Sequence, residues 1–258
     1  MEGLAQFSKF SVHINEAKVR VLTPSLDVVE FGKRNLGNSS GALAIAENMI
    51  LLTGRWASNP QFQRQAIKLV MPRGTMTEVA PLNVGRGFHT MSWINDQPAV
   101  IGGKDPDDNK LNSVEVFDGN RWVEIAPLNL ARDNTTACCT GPATYVIGGW
   151  IEEGGVLKKT ATIEKFMDNA WHILDLTLPV PSARTGAIPR SESSFLVLGG
   201  IIEPNDPTGN VWVVSEQAAE PVAPLEGPCC FEFNMFVVGD SLVSALDRNG
   251  KVISYAAN

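Results

Sequence analysis

Three residues with metal-ligand chemistry lie four apart in Glu164-x-x-x-Asp168-x-x-x-His172. Carboxylates with an imidazole and open positions would suit Fe(II). The glutamate, however, belongs to a set that repeats: Glu115, Phe117 and Trp122 return as Glu164, Phe166 and Trp171 with identical spacing. A residue that recurs with the frame serves the frame, so the three are read as straddling an outer hairpin. The cysteines come as neighbours, Cys138-Cys139 and Cys229-Cys230, in corresponding places of two units that are not adjacent. Zinc needs sulfurs that converge within a few ångströms, so small buried thiols along a narrow channel are expected instead. His13, His89 and His172 are scattered, no Gly-rich phosphate loop occurs, and no Ser or Cys has a nucleophile's setting. The expectation is a chain that is not an enzyme and carries no metal or cofactor.

Cations offer a different chemistry, recognition. Arg86 and Arg132 each precede a glycine pair by 16 residues, and Arg184 precedes one by 15. Each is expected to tie neighbouring units through backbone carbonyls, to grip a ligand carboxylate through two parallel bonds, or to do both. Arg55, Trp56, Lys104 and Trp150 lie just after the glycine motifs, and neither tryptophan has a slot in the repeat. Tryptophan with arginine is a common hot-spot pairing.

What must position these residues is a repeat. Apolar runs end in glycine at Ala99–Gly103, Tyr145–Gly149 and Leu196–Gly200, with weaker copies at Leu51–Gly54 and Phe236–Asp240. Counted from positions 53, 102, 148, 199 and 239, the motif returns every 40 to 51 residues. Val79-Ala80-Pro81-Leu82, Ile125-Ala126-Pro127-Leu128 and Val222-Ala223-Pro224-Leu225 recur between them, and Leu176-Thr177-Leu178-Pro179 fills the remaining slot. Each interval divides into four short apolar runs separated by turn residues such as Asp118-Gly119-Asn120. No 3.6-residue stripe persists, so the runs are strands, and four antiparallel strands per unit is a propeller pattern.

The diglycine, the Glu and aromatic, the Trp, the Pro and the Arg together resemble the kelch repeat, clearly from about Gly41 to Gly200 and less so to Asn258. The resemblance implies an all-β, kelch-type β-propeller forming one domain over residues 1–258. Its expected divisions are a partial blade at 1–36 and blades at 41–82, 86–128, 132–179, 183–225 and 228–258. Six blades are expected, with five as the alternative, the incomplete N-terminal blade being closed by the chain ends. In function it implies a protein or peptide held on the loop face, as in ubiquitin-ligase or cytoskeletal assemblies, with Arg86, Arg132, Arg184, Arg55, Trp56, Lys104 and Trp150 as the binding set. The roughly forty residues before Gly41 are read as holding no adaptor domain. The alternative is a small-molecule binder or isomerase working in the central channel. Nitrile-specifying members carry a metal motif with the Glu164 spacing, but in the channel. Copper oxidases of this fold need two tyrosine and two histidine ligands, whereas only Tyr145 and Tyr255 occur here.

Composition narrows the partner. The 258 residues carry a net charge of −7 and no run of five basic residues. Binding to phosphates needs clustered Lys and Arg, so nucleic acid is not expected. The longest apolar runs are strand-length, and no leader pattern opens the chain. A membrane partner is not expected, and the unpaired cysteine pattern places the chain in a reducing compartment, taken as the cytosol.

Overall fold

A computed structural model describes residues 63–225 continuously, together with 11–14, 19–23, 27–31, 41–46, 48–54, 236–238, 242–246 and 252–256. Four antiparallel sheets have four strands each and are designated blades I to IV. Blade I comprises Gly41–Ala46, Met49–Thr53, Ala66–Val70 and Thr75–Glu78. Blade II comprises Thr90–Ile94, Gln97–Ile101, Val114–Phe117 and Trp122–Ile125. Blade III comprises Thr136–Thr140, Ala143–Ile147, Thr162–Met167 and Ala170–Thr177. Blade IV comprises Gly186–Ser191, Ser194–Leu198, Val211–Ser215 and Ala219–Val222. The first strands of successive blades lie side by side, which makes them the innermost strands around the propeller axis.

The strands follow from local chemistry. Asp118 Oδ1 accepts from Asn120 N and Arg121 N at 2.8 and 2.9 Å, and Gly119 takes φ 99°, which closes the outer turn of blade II. The glycine pairs have a steric cause as well. Gly102 and Gly103 have φ of 63° and 99°. A Cβ on either would sit 2.6 Å from a backbone oxygen of the next connection or its neighbour, Arg132 O and Gly87 O respectively. In the first copy it is Gly54, not Thr53, that occupies the first glycine's place, since its N donates to Gln65 O as Gly102 N does to Ser113 O.

The core lies between blades, not within them. Trp122 is buried among Leu43 and Leu51 of blade I and Leu82 of the connection that follows it, and its Nε1 donates to Ala80 O at 2.9 Å. Trp171 repeats this toward blade II, donating to Ala126 O at 3.1 Å. A large apolar body with one polar tip suits a seam that is dry inside and wet at its edge.

Blade count departs from expectation: among the described residues four blades are complete, not six or five. Ser11–Ile14, Val19–Leu22 and Val28–Phe31 form a three-stranded sheet, and Val21, Val29 and Phe31 pack on blade I. Phe236–Val238, Leu242–Leu246 and Val252–Ala256 form a second. The strand Ser11–Ile14 lies beside Leu242–Leu246, yet among the described residues neither sheet lends the other a strand.

Candidate functional site

Arg86 and Arg132 are both fully buried. Arg86 Nη2 pairs with Glu115 Oε1 at 2.7 Å, while Nη1 donates to Gly102 O and Ser113 O at 2.9 and 3.0 Å. Glu115 also accepts from Asn83 N and Val84 N, at 2.7 and 3.2 Å. Blade III repeats the arrangement with Arg132 Nη2 on Glu164 Oε1 at 2.5 Å and Nη1 on Gly148 O at 2.9 Å. There Asn129 N and Leu130 N complete the carboxylate, at 2.7 and 3.2 Å. Burial pulls both guanidinium pKa values down, and the glutamates oppose it. Each tie staples the incoming connection to the third strand of its own blade. Arg86 and Arg132 thus make a structural tie, and their terminal nitrogens are taken up inside the fold.

Blade IV lacks the tie. Gly149 N donates to Ser182 O as Gly103 N donates to Arg132 O, so Ser182, not Arg184, stands in the arginine's place. Trp212 opposes Val197 just as Glu115 opposes Val100 and Glu164 opposes Val146. Pro179 follows Leu178 where Asn83 and Asn129 follow Leu82 and Leu128, and proline has no N–H to offer a carboxylate. Arg184 aligns with Phe88 and Asn134 instead. Asn134 N donates to Phe88 O and Arg184 N to Asn134 O, both at 2.9 Å, and all three have positive φ, of 56°, 47° and 53°. All three are half-buried on successive connections, with Arg184 Nε on Asn134 Oδ1 at 2.9 Å.

The loops after the glycine pairs form a continuous ridge. Lys104 and Lys110, from the loop of blade II, reach Asp133 Oδ2 at 3.5 and 3.3 Å. Burial works against the charge on Lys104, but its bonds to Asp108 and Asp133 prevail and hold its pKa up. Asp133 is bridged through its backbone to Trp150, which opens a hairpin of Trp150–Glu153 and Val156–Lys159 turned by Gly154 and Gly155. The Lys159 side chain is fully buried, with Nζ 4.0 Å from the Trp150 ring centre. The same amine bonds Pro204 O and Asn205 Oδ1 at 3.2 and 3.1 Å and pairs with Glu203 at 3.1 Å in the loop of blade IV. A buried cation over a partly buried indole holds the hairpin to its neighbour. Lys104 and Trp150 are thus brought together in one ridge. Arg184 stands apart from it beside Asn134, and Arg55 and Trp56 lie outside the described residues.

The remaining sequence candidates separate. Glu164 opposes Ile173 while His172 opposes Lys165, so the two side chains leave opposite faces of the hairpin, with Asp168 in the exposed turn. Cys138 is buried, and burial pushes its thiol pKa well up. Cys229 and Cys230 lie outside the described residues. His89, at the start of blade II, accepts or donates at Nε2 with Thr53 Oγ1 at 2.8 Å. Burial first and Arg86 second bring its pKa down to about 3. Sequence reasoning missed Lys110, Asp133, Lys159 and the pair Val156-Leu157. The Gly154-Gly155 turn between two short runs was the one local sign of that hairpin.

No family model matches the chain. Kelch-like protein 35 of Mus musculus is 30% identical over 158 residues, 59% of this chain and 26% of that protein. Kelch repeat protein M-T8 of Myxoma virus (strain Lausanne) is 31% identical over 114 residues, 43% of this chain and 22% of that protein. The chain spans about a quarter of the length of these curated relatives. Among solved structures, that of YjhT superposes with a TM-score of 0.69 at 13% identity, covering 96% of this chain and 93% of the other. No helix among the described residues is long and apolar enough to cross a membrane.

Proposed function

The chain belongs to the kelch-repeat β-propeller family, and from that premise we propose that it is a non-enzymatic scaffold which holds a protein or peptide on its loop face. The observation that carries this reading is the ridge, three loops joined through Asp133, Trp150 and Lys159. Loops held in place before a partner arrives lose less freedom on binding. The crest bears Val156 and Leu157, 61% and 56% exposed, apolar area on a fixed hairpin that a partner can take out of water.

A second reading, a small molecule held at the channel mouth, is favoured by Phe88, Asn134 and Arg184. Positive φ at residues other than glycine stores strain, and such strain clusters at functional sites. A photo-crosslinker placed at Leu157, with one at Glu124 on the outer strand as control, separates the readings. The scaffold reading expects protein adducts from position 157 and few from 124. Equal labelling from both positions would overturn it. A metabolite that raises the melting temperature of wild type but not of Arg184→Ala would favour the mouth.

A further inference from the structure

The ridge uses up its own positive charge. Of its four lysines, Lys159 is buried, and Lys104 and Lys110 point at Asp133 with side chains 19% and 8% exposed. Lys158 alone is well exposed, and it pairs with Glu153. The carboxylates face the other way. Asp107, Glu152 and Asp206 are exposed, one on each of the three loops, with no ion pair among the described residues. Asp108, Glu153 and Glu203 stay more than half exposed even though they are paired. With Arg86 and Arg132 removed into the blades, the loop face is acidic along the ridge, with an apolar step at Val156 and Leu157.

Resting on the scaffold reading above, we propose that this ridge docks a basic partner segment, one in which lysines or arginines flank an apolar residue that covers Val156 and Leu157. Charge complementarity selects this occupant. A basic segment meets Asp107, Glu152 and Asp206 without displacing any internal pair, whereas an acidic one would face like charge on all three loops. The fixed hairpin supplies register, and the apolar step supplies what diffuse attraction cannot.

Fluorescence anisotropy on the full chain tests this with a short labelled peptide of lysines flanking leucines and its counterpart with glutamates for the lysines. The lysine peptide is expected to bind roughly tenfold or more tighter than the glutamate peptide, and less tightly as salt rises. Val156→Ser with Leu157→Ser should weaken it by roughly tenfold. Asp107→Asn with Glu152→Gln and Asp206→Asn should weaken it severalfold and flatten the salt dependence. Asp168→Asn with Asp175→Asn, on the outer hairpin, should leave it within about twofold. Tighter binding of the glutamate peptide overturns the proposal. So does an equal loss in the outer control, which would mean diffuse attraction to a chain of charge −7. Binding of neither peptide also overturns it. The scaffold reading fails separately, by crosslinks that do not distinguish Leu157 from Glu124.

Discussion

Blades II and III solve one problem with charge, and blade IV solves it without. In the first two, an arginine, a glutamate and a pair of backbone N–H groups lock the incoming connection to the third strand. In blade IV all three parts change together, to Ser182, Trp212 and Pro179. The joint change is what physics requires. A glutamate in the place of Trp212, beside Pro179 and Ser182, would turn a carboxylate inward with no guanidinium and with one of the two backbone N–H groups missing. The blade keeps four strands either way, so the tie is a device laid on the fold and not a condition for it.

The largest effect should come from halving a tie. Glu164→Ala leaves a buried guanidinium uncompensated and should cost roughly 3–5 kcal/mol by denaturant unfolding. Arg132→Met combined with Glu164→Leu should recover most of that loss, because the pair's attraction mainly offsets its own desolvation. A double variant as unstable as the single would show that the tie itself stabilises the blade.

A smaller effect should follow from imposing the wrong half on blade IV. Trp212→Glu should cost roughly 1–3 kcal/mol. Adding Ser182→Arg and Pro179→Asn should restore part of it, since those changes rebuild the partners seen in blade III. If Trp212→Glu alone is neutral, the correspondence between the blades is wrong.

An effect confined to acid pH concerns a site where blade II differs from blades III and IV, His89 in place of Thr135 and Thr185. Its folded pKa of about 3 lies below the ordinary value of 6.5, so protonation favours the unfolded chain. Above about pH 6.5 the residue contributes no pH dependence. As pH falls from 6.5 toward 3, stability declines. The melting temperature of His89→Thr should therefore fall less over that window than that of wild type. Parallel curves would mean that other groups carry the acid sensitivity.

The repeat made most of the fold legible. The glycine pairs, the Trp slots and the alternation of the strands marked out the four-stranded sheets along the chain. Closure was not legible, because joining the two ends depends on contacts between residues far apart in the chain. Arg132 was identified as a tie, a ligand contact or both, and nothing local could decide among them. Arg184 was counted with it on a spacing of 15 instead of 16, yet it stands two places further along the connection than the residue that replaces the arginine, Ser182.

By itself the sequence determined the all-β propeller, since turns, period-two alternation and the steric need for glycine act over a few residues. It also determined that the third strands of blades II and III carry a glutamate. Only the tertiary structure decided which charges the interior would take. Arg132 meets Glu164 across 32 residues and Lys159 meets Asn205 across 46, and neither distance leaves a local trace. Desolvation makes those pairings obligatory once the groups are buried, and so it also determined what was left outside: carboxylates along the ridge, and Val156 and Leu157 at its crest.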